Sequence, residues 1–180
     1  SKKPFLVSEH VGSFDDKQQP FGKGVLNIYH SVGETLNYSI SGTWHGRKKD
    51  ISDVAISIYN NTGQLIFECV SDHLTSEFEK RQQYFEGQAT LNEYYPGTNV
   101  LKSKFVGDVI SDVNDGFSGS SSSRKVKCPF DFKPNGEGTI TCYNPDGTKK
   151  IQAICTGFES LEIKKDYTYK KITHYHDNDN

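Results

Sequence analysis

Apolar and polar residues alternate in several short runs of this chain. Leu26 and Ile28 flank Asn27, Ile56 and Ile58 flank Ser57, Ala89 and Leu91 flank Thr90, and Ile140 and Cys142 flank Thr141. A period of two puts the apolar set on one face of an extended strand and the polar set on the other. Each run leads to a turn of Asn, Asp, Pro or Ser beside a glycine, at Gly33, Gly63, Gly97 and Gly147. A second run follows, with Phe67 and Cys69, with Leu101 and Phe105, or with Ile151, Ala153 and Cys155; Leu36, Tyr38 and Ile40 do the same shifted by one position. Strand, glycine turn and strand together predict a β-hairpin whose glycine takes positive φ.

Residues 24–42, 54–72, 87–107 and 138–157 align on their turn glycines as four copies of one unit. A tyrosine precedes the turn at Tyr29, Tyr59 and Tyr143, and the third copy carries Tyr94 and Tyr95. The fold class is all-β, with antiparallel hairpin repeats near 22–46, 53–73, 85–108 and 136–158 in a single β domain, residues 1–173. The sheet is expected to be extended or rolled, and twisted. Its core face should bury Leu26, Ile28, Ile56, Ile58, Phe67, Leu91, Phe105 and Ile140. Ser76 and Glu79 have capping-box spacing and Leu74 and Phe78 lie four apart, which predicts one short helix over 74–85. An insertion loop is expected over 109–127, because Gly and Ser dominate 112–125. Ile163, Lys165, Tyr167 and Tyr169 alternate with charged neighbours and suggest a last strand, before a disordered tail at 174–180.

Tyr94-Tyr95-Pro96-Gly97 with Leu101 and Phe105, and Gly136-Glu137-Gly138-Thr139 with Asp146-Gly147, resemble MORN-variant repeats. Gly42-Thr43-Trp44-His45-Gly46 resembles the Gly-x-Trp step of the commoner MORN repeat. The resemblance covers about two thirds of the chain. Val54 stands where the first glycine of its copy belongs, and two insertions interrupt the array. The resemblance implies a scaffold that binds a protein or a membrane surface, with relatives in the cell envelope and in toxin–immunity systems. Gly42-Thr43-Trp44 also resembles the opening of calycin barrels such as lipocalins and avidins. That alternative implies a closed barrel carrying a small hydrophobic ligand.

Composition narrows the picture further. Hydrophobic residues are 33% of the 180, below the roughly 45–50% of an ordinary globular chain. Aromatics reach 12%, too many for simple disorder. The net charge of −2 excludes a generally basic nucleic-acid binder. The chain has no Met and opens Ser1-Lys2-Lys3, the pattern expected of a trimmed or mature chain, and also of residues following a lipidated cysteine. Its four cysteines show no metal-type Cys-x-x-Cys pair. Two disulfides are expected instead, and with them a secreted or periplasmic location, possible lipid anchoring included. Pro129, Pro134, Asn135 and Gly136 suggest that the chain reverses between Cys128 and Cys142, which predicts a bridge between those two.

Candidate chemistry is sparse. His174, His176, Asp177 and Asp179 could ligate a metal but read better as a polar terminus. Asp112, Asn114, Asp115 and Gly116 lack the glutamate of a calcium loop. Lysines 164, 165, 170 and 171, interleaved with Tyr167, Tyr169 and Tyr175, suit either a phosphate-binding strip or a guarded sheet edge. No nucleophile with a positioned base and no phosphate loop is evident, so no cofactor is expected. The expectation is a non-catalytic binding or scaffold protein. Its partner would be a protein or a membrane surface, and its candidate binding residues are Tyr29, Trp44, Tyr59, Tyr94 and Tyr143.

Overall fold

A computed structural model describes residues 8–30, 35–45, 48–79, 82–113 and 128–176. Ten strands follow one another: β1 (Ser8–Phe14), β2 (Pro20–Tyr29), β3 (Leu36–His45), β4 (Lys48–Tyr59), β5 (Leu65–Glu79), β6 (Gln82–Tyr94), β7 (Leu101–Val113), β8 (Phe130–Tyr143), β9 (Lys149–Phe158) and β10 (Tyr169–His174). They form one sheet in chain order, each strand antiparallel to the next. β1 and β10 do not pair, so the sheet is open and the closed calycin-like barrel is ruled out.

One inner row crosses all ten strands: His10, Leu26, Ile40, Ile56, Cys69, Leu91, Phe105, Ile140, Ala153 and Ile172. The seven central members are buried. Of the expected core, Ile56, Leu91, Phe105 and Ile140 are fully buried, Leu26 and Phe67 pack partly buried against them, and Ile28 and Ile58 are half-buried. A single sheet cannot bury its own face unless something covers it. Here the sheet rolls over itself: the Tyr38 ring on β3 meets the Phe130 ring on β8 at 5.6 Å, five strands away in the order. The β9–β10 connection adds Leu161, Ile163 and Tyr167 to the same core.

Bulges set where the strands bend. β5 carries an extra residue between Val70 and Thr75, so Cys69 and Leu74 both point inward. Buried Ser71 stitches that bulge, its Oγ donating to the Gln88 and His73 carbonyls and accepting from the His73 N–H. The expected helix over 74–85 is therefore absent: β5 runs through Glu79 and β6 starts at Gln82. Leu74 and Phe78 lie four apart, which is about one turn of a helix and equally two periods of a strand, so that spacing suits either element. β4 has the same device at Asp53, at φ +49°, which brings both Ile51 and Val54 inside.

A third bulge, between Gly107 and Val109 of β7, takes up Asn135, Gly136 and Glu137 of β8. Pro134-Asn135-Gly136 is thus not a turn. β8 passes straight through it, which leaves Cys128 and Cys142 near opposite ends of one strand, roughly 40 Å apart along the chain. The expected Cys128–Cys142 disulfide cannot form, and all four cysteines are free thiols. β7 also continues to Val113, five residues into the expected insertion loop. The rest of that loop, 114–127, lies outside the described residues, as does the tail beyond His176. Within the expected tail, His174 closes β10 and the Tyr175 N–H donates to the Lys150 carbonyl.

Candidate functional site

His30 and Thr35, whose backbone hydrogen bond closes the first hairpin, and the turns over 60–64, 95–100 and 144–148 all lie at one end of the sheet, because the strands alternate in direction. Three of their glycines are described, and all take positive φ: Gly63 at +79°, Gly97 at +74° and Gly147 at +88°. Gly33 is outside the described residues. Polar side chains hold the turns. Asn60 Oδ1 accepts from the Thr62 and Gln64 N–H groups, and Asp146 Oδ1 from the Thr148 N–H and hydroxyl. Those bonds stabilise the ionised Asp146 carboxylate and hold its pKa below the ordinary value.

The turns also stack on one another. The last residue of each meets the glycine of the next: Thr35 at Gly63, Gln64 at Gly97 and Val100 at Gly147. His30 Nε2 lies 3.3 Å from the Asn60 carbonyl, and the Tyr95 hydroxyl donates to the Tyr143 carbonyl at 2.7 Å. The sheet end is thereby a continuous ridge.

Four candidate tyrosines stand just inside this ridge. Tyr29, Tyr59, Tyr94 and Tyr143 are each the last residue of a strand, and each follows the same one-residue bulge, opposite Leu36, Leu65, Leu101 and Lys149. They sit on every second strand, about 9.6 Å apart, on the outer face of the roll. The Tyr29 hydroxyl donates to Glu9 Oε1 at 2.6 Å, which also takes a bond from Asn27. That bond and the nearby carboxylate charge raise the Tyr29 pKa. Partial burial, and then the charge of Glu68, raise that of Tyr94. Tyr143 lines a shallow outer groove with Lys104, Val106, Thr139, Thr141, Lys149 and Gln152.

Below the tyrosines the outer face is built in two further rows. One is polar on every strand: Glu9, Asn27, Ser39, Ser57, Glu68, Asn92, Lys104, Thr141, Gln152 and Thr173. The next is mostly small or β-branched: Val11, Val25, Ser41, Ala55, Val70, Thr90, Val106, Thr139, Ile154 and Lys171. Val70 and Val106 are exposed there.

Trp44 does not join this face. It is on the inner side near the other end of β3, some 26 Å of strand from Leu36. Its ring centroid is 5.9 Å from that of His10, which in turn contacts Phe14. The Trp44 indole N–H and both His10 ring nitrogens are buried with no hydrogen-bond partner among the described residues. The sequence singles out neither His10 nor Glu9. The only available signal was the spacing His10-x-Gly12, which matches Phe105-x-Gly107. Among the described residues, no three His, Cys, Asp or Glu side chains lie close enough to hold a metal ion. Comparison with protein-family models, with curated proteins and with solved structures finds no match to this chain.

Proposed function

We propose that this chain is a non-catalytic binding or scaffold protein that engages a protein partner through the tyrosine-bearing outer face. The observation that carries the reading is the repetition of Tyr29, Tyr59, Tyr94 and Tyr143 at one structural position of four stacked hairpins. Tyrosine offers large amphipathic area at little entropic cost, which suits recognition surfaces. An ordered ridge of turns presents the row with little freedom left to lose on binding. The MORN-type resemblance points the same way. With four free thiols, the disulfide argument for a secreted or periplasmic site has lost its footing, and the proposal does not depend on location.

The test is quantitative capture from the native source with wild-type bait and with a Tyr59→Ser/Tyr94→Ser/Tyr143→Ser bait of equal thermal stability. A specific protein retained by the wild type and lost with the triple variant supports the proposal. Equal retention by both baits overturns it, as does binding to lipid vesicles alone.

A further inference from the structure

The two edges of the sheet fit one another. Among the described residues, β1 and β10 each have a strand neighbour on one side only. They carry the ends of three rows: Glu9 and Thr173 end the polar row, His10 and Ile172 the core row, and Val11 and Lys171 the β-branched row. One antiparallel register sets Glu9 opposite Thr173, His10 opposite Ile172 and Val11 opposite Lys171, and so continues all three rows at once. An even number of strands makes β1 and β10 run in opposite directions, so a second copy set beside the first in the same orientation prolongs the antiparallel alternation.

We propose that copies of this chain associate head to tail, β10 of one pairing with β1 of the next. Val11 is 62% exposed and Ile172 42% exposed in the single chain, and both are covered at this junction. Charge selects the pairing. Residues 8–16 hold Glu9, Asp15 and Asp16 and no Lys or Arg, a net −3, whereas residues 164–176 hold Lys164, Lys165, Lys170 and Lys171 against Asp166, a net +3. Pairing of two β1 edges would oppose acid to acid, and of two β10 edges base to base, at a cost in each case. β10 carries the lysines that guard sheet edges, whereas Val11-Gly12-Ser13-Phe14 leaves β1 open to a partner. A junction of this kind joins unlike surfaces and leaves a free β1 edge at one end of an open assembly and a free β10 edge at the other, where it grows with concentration.

Sedimentation velocity of the full chain over a range of concentrations and salt tests the proposal. The expected result is mass that rises past the dimer with concentration and falls as salt screens the edges. Two variants sharpen it. Lys170→Glu/Lys171→Glu reverses the β10 edge and gives up only the exposed Lys170–Glu137 pair. Asp15→Asn/Asp16→Lys neutralises the β1 edge and keeps the turn, since Asn60 makes the same two backbone bonds in its own turn that Asp15 makes here. Each variant alone should associate at least about tenfold more weakly than wild type. Mixed, they retain one wild-type junction between them and should form a dimer that grows no further. A monomer at every concentration overturns the proposal. So does a closed dimer indifferent to both variants, which would be a two-fold contact elsewhere.

Discussion

At Phe105 one ring does the work of several side chains. Gly107 and Gly138 face each other across β7 and β8, and the Phe105 ring lies over both: a Cβ at Gly138 would clash with its Cε2 and Cζ, and one at Gly107 would stand 2.9 Å from the same Cζ. His10 covers Gly12 and Gly24 in the same manner at the β1 edge. Phe105→Ala should lose about 3–5 kcal/mol of stability in denaturant melts, since a buried ring is removed and two backbones lose their cover. Gly138→Ala should also destabilise, and less in the Phe105→Ala background, because the clash with the ring is gone while the Val106 carbonyl, 2.6 Å from the added Cβ, remains. Additive losses in that double-mutant cycle would deny the contact. Cys69 gives the pH dependence. Burial, and secondarily the Glu68 charge, push its thiol from 9.0 up to about 12. Burial does the same to Tyr38, from 10.0 to about 12, with Cys128 adding to it. Both groups are neutral when protonated, and the folded state holds their protons more tightly than the unfolded state. Their contribution is therefore complete below pH 9 and lost as pH climbs toward 12. Cys69→Val should flatten the lower part of that alkaline decline in chemical-denaturation curves taken at successive pH values. An unchanged slope would show that the thiol stays reachable by water.

Hairpins are the element the sequence displays best, and bulges the one it hides. Alternation at Leu26 and Ile28, Ile56 and Ile58, and Ile140 and Cys142 places the first strand of each copy correctly, and the described turn glycines take the backbone expected of them. The β1–β2 hairpin went unread because Gln18, at φ +62°, occupies the glycine's position. Its hydrogen bonds match those of the Asn60 turn: the Asp15 N–H donates to the Gln19 carbonyl, and the Gln18 N–H to the Asp15 carbonyl. The four-residue spacing of Leu74 and Phe78 suits a helix and a strand alike, whereas Pro134 to Gly136 look like a turn because they fill a bulge. An extra residue shifts the strand's period without ending the strand, and local spacing cannot reveal the partner that absorbs it. The row of tyrosines was legible, but the ridge behind it was not, because Thr35, Gln64 and Val100 share no chemistry that would flag their common position. Two substitutions at the equivalent turn position should move stability in opposite directions. Gln18→Gly should add about 0.5–1 kcal/mol by relieving a left-handed conformation that side chains resist. Gly147→Ala should lose about 1 kcal/mol through φ alone, since a Cβ there meets nothing nearer than Val100 at 3.9 Å. Thermal melts of the two variants decide whether Gln18 is strained or held by its turn.

Across the whole molecule, burial is concentrated in the middle of the sheet. Among the described residues, all the buried ones belong to β3 through β9, and β1, β2 and β10 contribute none. The rolled centre ties distant strands together: Phe130 contacts Tyr38 and Phe85, while Phe158 gathers Phe105, Tyr167 and Tyr169. Breaking any one of these contacts exposes surface on several strands, so the centre should open only when the whole domain unfolds. The β1–β2 hairpin is different. Among the described residues, its hold on the rest is the β2–β3 ladder and a half-buried patch of Leu26, Ile28 and the His10–Trp44 contact, with three ring nitrogens left unsatisfied. Orphaned buried polar groups of this kind cost stability, so opening the hairpin returns part of what it loses. Native-state hydrogen exchange on a dilute sample, where edge pairing is absent, should therefore show two classes. Amides of β5 to β8 should exchange at the global unfolding free energy and follow the denaturant dependence of the melt. Amides linking β1 to β2, and β10 to β9, should exchange sooner and with little denaturant dependence. If β1 amides are protected as strongly as those of β7, the hairpin belongs to the cooperative unit, and its unsatisfied nitrogens are compensated by packing.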